Sequence, residues 1–97
     1  MSKNKQSKAK KADLFFVAGR DERTKSIFLR ELGSSKIRYD KSGAQHLVSE
    51  ISLSQLKALP GIYRDSLHFC LYSGPASGTI TLIGKNCFNP AKCREKC

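Results

Sequence analysis

The chain has 97 residues, 39% of them hydrophobic and 27% charged, with a formal net charge of +10. That length suits one domain with a modest core. Its longest apolar runs, such as Leu14–Ala18, fall far short of the ~20 residues a membrane-spanning helix needs, which argues against a transmembrane segment.

Met1–Ala12 holds five lysines and no acid. It is polar and of low complexity, and it reads as a disordered basic arm. No long apolar segment follows this lysine-rich start, so the expectation is a cytoplasmic protein. "LFFVA" before Gly19 suits a buried strand. In "RDERTKSIFLRELG", Asp21 can cap a helix, Phe28 and Leu32 lie four apart, and Gly33 suits its end. "SSKIRYD" is a possible strand. "KSGAQHLVSEIS" satisfies two periods. Ala44, Leu47, Val48 and Ile51 fit a helical stripe, while Leu47, Ser49 and Ile51 alternate as a strand would.

Ser52 and Gln55 form a capping box, with Ile51 and Leu56 placed as its hydrophobic staple. The helix that follows is expected to stop at Pro60–Gly61. In "SLHFCLY", Leu67, Phe69 and Leu71 face one way and His68, Cys70 and Tyr72 the other. With "SGPASG" as turn and "TITLIG" as second strand, residues 66–84 read as a hairpin. The fold class expected is α+β: a small antiparallel sheet with this C-terminal hairpin and two short helices, over 13–84. Residues 85–97 read as a basic, cysteine-bearing tail.

Asp13–Gly84 has nine basic and seven acidic residues, and Lys85–Cys97 has four basic residues against Glu95. Positive charge is therefore concentrated at the two ends. Lysine-rich arms attract phosphate through counterion release, without base specificity. Nucleic acid, DNA before RNA, is the expected partner, and an acidic protein surface is the other. The candidate contacts are Lys3, Lys5, Lys8, Lys10, Lys11, Lys36, Arg38, Lys41 and Arg64. On a strand, Lys36 and Arg38 would share a face. Tyr39 and Tyr63 could stack on bases or serve the core. Arg20, Arg23 and Lys25 are interleaved with Asp21 and Glu22, which blunts them.

Little speaks for catalysis. The chain has two histidines, His46 and His68, and lacks a nucleophile elbow, a Walker loop and a dinucleotide glycine fingerprint. No catalytic residue and no cofactor is assigned. Cys87, Cys93 and Cys97 are spaced too loosely for a zinc knuckle. A zinc site with His68 or Cys70 as fourth ligand is geometrically conceivable. A disulfide is the alternative if the protein leaves a reducing compartment. The expectation adopted is free thiols, with Cys70 a small hydrophobe. Asn89–Pro90 looks like a helix start.

Two family resemblances add to this reading. "KIRYDKSGAQHLVSEIS", "LPGIYRDSLHF" and "GTITLIGK" resemble the AbrB/MazE swapped-hairpin DNA-binding family, with Gly43 at its turn glycine and Asp65–Leu67 at its later turn. The family's proline before the helix is Val48 or Ser49 here. The resemblance implies a homodimer that reads DNA through residues such as Lys36, Arg38 and Lys41. "LKALPGIYR" and "TITLIGK" look like RelE-type ribosome-dependent mRNA interferases, which would leave Arg64 as a phosphate contact. "LFFVAG" also suits the first strand of an RNA-recognition fold, whose aromatic-rich second signature is absent. The function expected is a small nucleic-acid-binding protein, a DNA-binding regulator rather than an enzyme.

Overall fold

The structure is a computed structural model that describes residues 13–62 and 67–93. The fold is α+β: one five-stranded antiparallel sheet and two helices. In chain order these are β1 (Leu14–Gly19), α1 (Glu22–Leu32), β2 (Lys36–Tyr39), β3 (Gln45–Ile51), α2 (Leu53–Ile62), β4 (Phe69–Gly74) and β5 (Thr81–Lys85), then a 3₁₀ turn at Pro90–Lys92. The sheet order is β2-β3-β1-β4-β5. Without β5, this is the arrangement of the split βαβ motif. Among the described residues no helix is long and apolar enough to cross a membrane.

The unbroken apolar run of β1 is explained by its central place. Phe16 is 4% exposed on one face and Val17 1% on the other. On the helix-covered face Val17, Ile51, Phe69 and Leu71 pack with Ile27 and Phe28 of α1 and Leu56 and Leu59 of α2. On the opposite face Phe16, Val48, Cys70, Tyr72 and Ile80 form a second cluster. The alternation expected along Leu67–Tyr72 is present, but from Phe69 to Tyr72 both of its faces are buried, with His68 exposed. Two cores in so short a chain require the sheet to cover part of itself.

It does so by rolling. β3 pairs with β1 only through Ser49–Ile51 and with β2 through Gln45–Val48. The β2–β3 hairpin therefore extends past β1. Its tip meets the start of β5, where Asp40 and Ile80 form a bridge and the Ile80 N–H donates to Tyr39 O at 3.0 Å. The two outermost strands thus touch, and Ile80 is fully enclosed.

Local chemistry fits these elements. Asp21 Oδ1 accepts from the Thr24 N–H at 2.8 Å, capping α1. Thr24, itself buried, accepts the His68 N–H on its hydroxyl at 3.3 Å and ties α1 to the entry of β4. Ser52 and Gln55 make both halves of the capping box of α2. A Cβ on Gly19 would lie 2.7 Å from the Lys25 nitrogen, so only glycine lets β1 turn this tightly into α1. The expected stop at Pro60–Gly61 is corrected: α2 runs to Ile62. Proline removes one N–H from the helix ladder without ending the turn it sits in. The segment that satisfied two periods is strand β3.

The packed region also continues beyond Gly84. The Asn86 N–H donates to Phe69 O at 2.7 Å, and the Phe69 N–H donates to Asn86 Oδ1 at 2.9 Å. Cys87 is 7% exposed inside the main core. The Phe88 ring lies edge-on to Phe69 at 5.3 Å. Residues 86–88 are therefore core rather than tail. The expected basic arm, Met1–Ala12, lies outside the described residues.

Candidate nucleic-acid interface

Of the basic residues expected to meet phosphate, Lys36 and Lys41 are exposed. Lys36 lines an open groove of about 680 Å³ together with Phe16, Val48 and Glu50. Lys3, Lys5, Lys8, Lys10, Lys11 and Arg64 lie outside the described residues, as does Tyr63. Tyr39 is half exposed.

Arg38 is corrected. It shares the groove with Lys36 as the strand period required, but it is only 9% exposed. One guanidinium nitrogen donates to Pro75 O at 2.9 Å and to Gly78 O at 2.8 Å. The guanidinium carbon lies 4.9 Å from the centre of the Phe16 ring, a cation–π contact. Arg38 is thus the clamp that holds the β4–β5 loop to β2, and its guanidinium is already committed to that loop.

Two cations that the sequence pattern discounted, Arg20 and Arg23, are exposed where β1 runs into α1. The register aligns Ala18, Cys70 and Lys85 in one row across β1, β4 and β5. Just beyond Ala18, the Arg20 N–H donates to His68 O at 2.7 Å. Arg20 and Arg23 are exposed, with Arg23 in the first turn of α1. The neighbouring acids are used locally. Asp21 caps the helix, and its carboxyl is held below its ordinary value mainly by the Thr24 N–H and hydroxyl. Glu22 pairs with Lys25 at 3.3 Å.

A second polar group sits at the tip of the β2–β3 hairpin. Asp40 Oδ1 accepts the Ser42 N–H at 2.9 Å, the Ser42 hydroxyl at 2.6 Å and the Ala44 N–H at 3.0 Å. Asp40 Oδ2 lies 2.8 Å from His46 Nε2, and His46 Nδ1 lies 3.1 Å from the Tyr72 hydroxyl. A carboxylate needs a donor, so Nε2 is the ring nitrogen that donates to Asp40. Burial, then the charge of Asp40, pushes the Tyr72 phenol up. Tyr72 is 4% exposed. A carboxylate–imidazole–phenol chain with its phenol enclosed ties β2–β3 to β4.

The Ser42 hydroxyl first, then His46, hold the Asp40 carboxyl far below its ordinary range. A lowered folded-state value adds stability above the unfolded carboxylate pKa of ~4 and loses it as pH falls through the folded value. The expected outcome is that Asp40→Asn lowers the melting temperature at neutral pH and flattens its decline in acid. Thermal unfolding of both proteins from neutral pH to ~pH 3 checks this. Parallel pH profiles would rule Asp40 out as the titrating group.

The free-thiol expectation is also corrected. Cys87 and Cys93 form a disulfide with Cα atoms 5.5 Å apart. Cys70 is disulfide-bonded as well. Cysteines so paired cannot serve as thiolate ligands. Among the described residues no cluster of three metal-binding side chains occurs, and Cys97 lies outside them. Asn89 caps the Pro90–Lys92 turn through the Ala91 N–H at 3.1 Å, as the sequence suggested, but the turn is 3₁₀ and three residues long.

The chain matches no family model, no curated protein and no solved structure.

Proposed function

We propose that this protein binds nucleic acid through its phosphates and acts on double-stranded DNA as a regulator rather than an enzyme. The observation that carries this is the charge distribution, +10 overall with its excess at the two chain ends. Flexible single strands are held mainly on exposed aromatic platforms. Here Phe16 and Tyr72 are enclosed by Ile80 and the rolled sheet, which leaves the half-exposed Tyr39 as a single stacking position rather than a platform on that face. That favours a duplex, whose regular phosphate ladder needs only correctly spaced cations. Specificity is expected to be low, since phosphate contacts position a protein and base contacts specify its site.

The test is fluorescence anisotropy with a labelled duplex after nuclease treatment of the protein. With roughly five phosphate contacts, affinity should fall by about 10²- to 10³-fold between ~50 and ~200 mM salt. Removal of Met1–Ala12 should make that salt slope shallower. Absence of binding at low salt, or binding indifferent to salt, overturns the proposal.

One observation favours a second reading. Ile37 and Leu47 are a cross-strand pair, each about half exposed beside the equally exposed Leu29. An apolar patch of this kind suits a protein partner. Recovery of one defined protein after nuclease treatment, with no DNA affinity, would favour it.

A further inference from the structure

We propose that the groove bearing Asp13, Lys36 and Glu50 binds a small zwitterion with an apolar body, of the class of a short apolar peptide with both termini charged. This goes beyond the nucleic-acid reading and does not depend on it.

The first observation is the cavity itself. Its volume is about 680 Å³, and its walls come from β1, β2, β3 and α2, with Ala76 of the loop that Arg38 holds to β2. Small-molecule sites usually measure ~300–1,000 Å³. Apolar surface comes from the half-buried Leu14 and Leu32 and from Leu53, which is 42% exposed.

The second is which carboxylates are left over. Asp21 caps α1, Glu22 pairs with Lys25, Glu31 pairs with Arg30, and Asp40 is bound to Ser42 and His46. Asp13 and Glu50 remain. Both are exposed, both line this groove, and neither forms an ion pair among the described residues. Lys36, in the same groove, is without an ion pair there too. Three charges of both signs thus face one hollow without neutralising one another at contact distance.

The third is their order. Lys36 lies opposite Val48, and Phe16 lies opposite Glu50. Glu50 is therefore two residues, ~7 Å, beyond Lys36 along β3. Asp13, three residues before Phe16 on the antiparallel β1, lies ~10 Å further the same way. The groove runs from a positive end to a negative one. A phosphate backbone would meet two carboxylates here. A zwitterion satisfies both ends, its carboxylate at Lys36 and its ammonium at Glu50 and Asp13. An extended tripeptide spans ~10 Å, which fits this separation.

The experiment titrates the tripeptide Leu-Ala-Leu, with free termini, into the full-length protein and follows backbone amide shifts by NMR. Saturable shifts are expected at groove residues, with a dissociation constant on the order of 0.1–1 mM. Acetylating the peptide's amino group should weaken binding at least ~5-fold. Glu50→Gln should weaken the unmodified peptide by a similar factor and leave the acetylated one unchanged. Lys36→Gln should act in the same way toward the carboxyl-amidated peptide. Glu50 and Lys36 are exposed, and circular dichroism confirms that both variants remain folded. No saturable shift up to ~10 mM peptide, equal binding of the acetylated form, or shifts confined to residues outside the groove overturns the site. Each of these outcomes leaves the nucleic-acid reading standing, because duplex binding is measured separately.

Discussion

Phe69→Ala is expected to destabilise the fold by about 4 kcal/mol, the largest effect of any single truncation in the core. Phe69 is fully enclosed. Its ring meets Phe28 edge-on at 5.6 Å and Phe88 at 5.3 Å, so it joins α1, β4 and the segment after β5. Each edge-to-face pair adds ~0.5–1.5 kcal/mol beyond the area it buries. The neighbours are held by their own backbone ties, so the cavity cannot collapse fully. Total stability for a domain of this length is about 5–15 kcal/mol, so the loss is a large share of it. Urea unfolding followed by circular dichroism should show a lower midpoint with an unchanged slope. Phe69→Leu should lose less than half as much. A loss below ~2 kcal/mol for the alanine variant would mean that Phe28 and Phe88 move in to close the space.

Arg38→Met is expected to cost about 2–4 kcal/mol, through a different route. The methionine can cover Phe16, but it leaves Pro75 O and Gly78 O without their donor, and hydrogen bonds from a charged donor contribute about 1.5–3 kcal/mol each, partly offset here because water can reach the exposed loop. The planar charge over Phe16 is lost too. Two readouts separate this role from phosphate contact. Amide exchange in the β4–β5 loop, 75–80, should speed up more than elsewhere. The salt slope for DNA should not change beyond what partial unfolding explains. Unchanged stability with a slope shallower by about 1 would return Arg38 to the phosphate contacts.

The parts of the fold legible in the sequence are those whose causes are local. Asp21, Gly33 and the Ser52–Gln55 box mark helix ends through bonds within four residues. The β4–β5 hairpin is marked by alternation around a turn. The strand at Gln45–Ile51 was not decidable, because its apolar residues satisfy both periods. What decides it is the ladder offered by β1, thirty residues upstream, and by β2. The same holds for the candidate site. Arg38 reads as a surface cation until the loop 37 positions later arrives to bury it. The Asp40–His46–Tyr72 tie spans two hairpins. Cysteine spacing allowed a metal, a disulfide or free thiols. The choice follows from Asn86, whose turn at φ 49° leads Cys87 back into the core and toward Cys93.

The central place of β1 has a consequence during synthesis. The strand made first is flanked by partners made much later: β3 supplies Ser49–Ile51, and β4 supplies Phe69–Gly74. A ribosome adds ~5–20 residues per second, so "LFFVA" waits seconds for its second neighbour. Short apolar, β-prone, uncharged runs in that condition pair readily with copies of themselves. Five lysines directly precede this one. Like charges beside such a run act as gatekeepers, since stacking the strands would also stack the lysines. Charge in this position opposes such pairing whether or not it later touches a phosphate, and replacing the five lysines with glutamine is expected to raise aggregation during refolding.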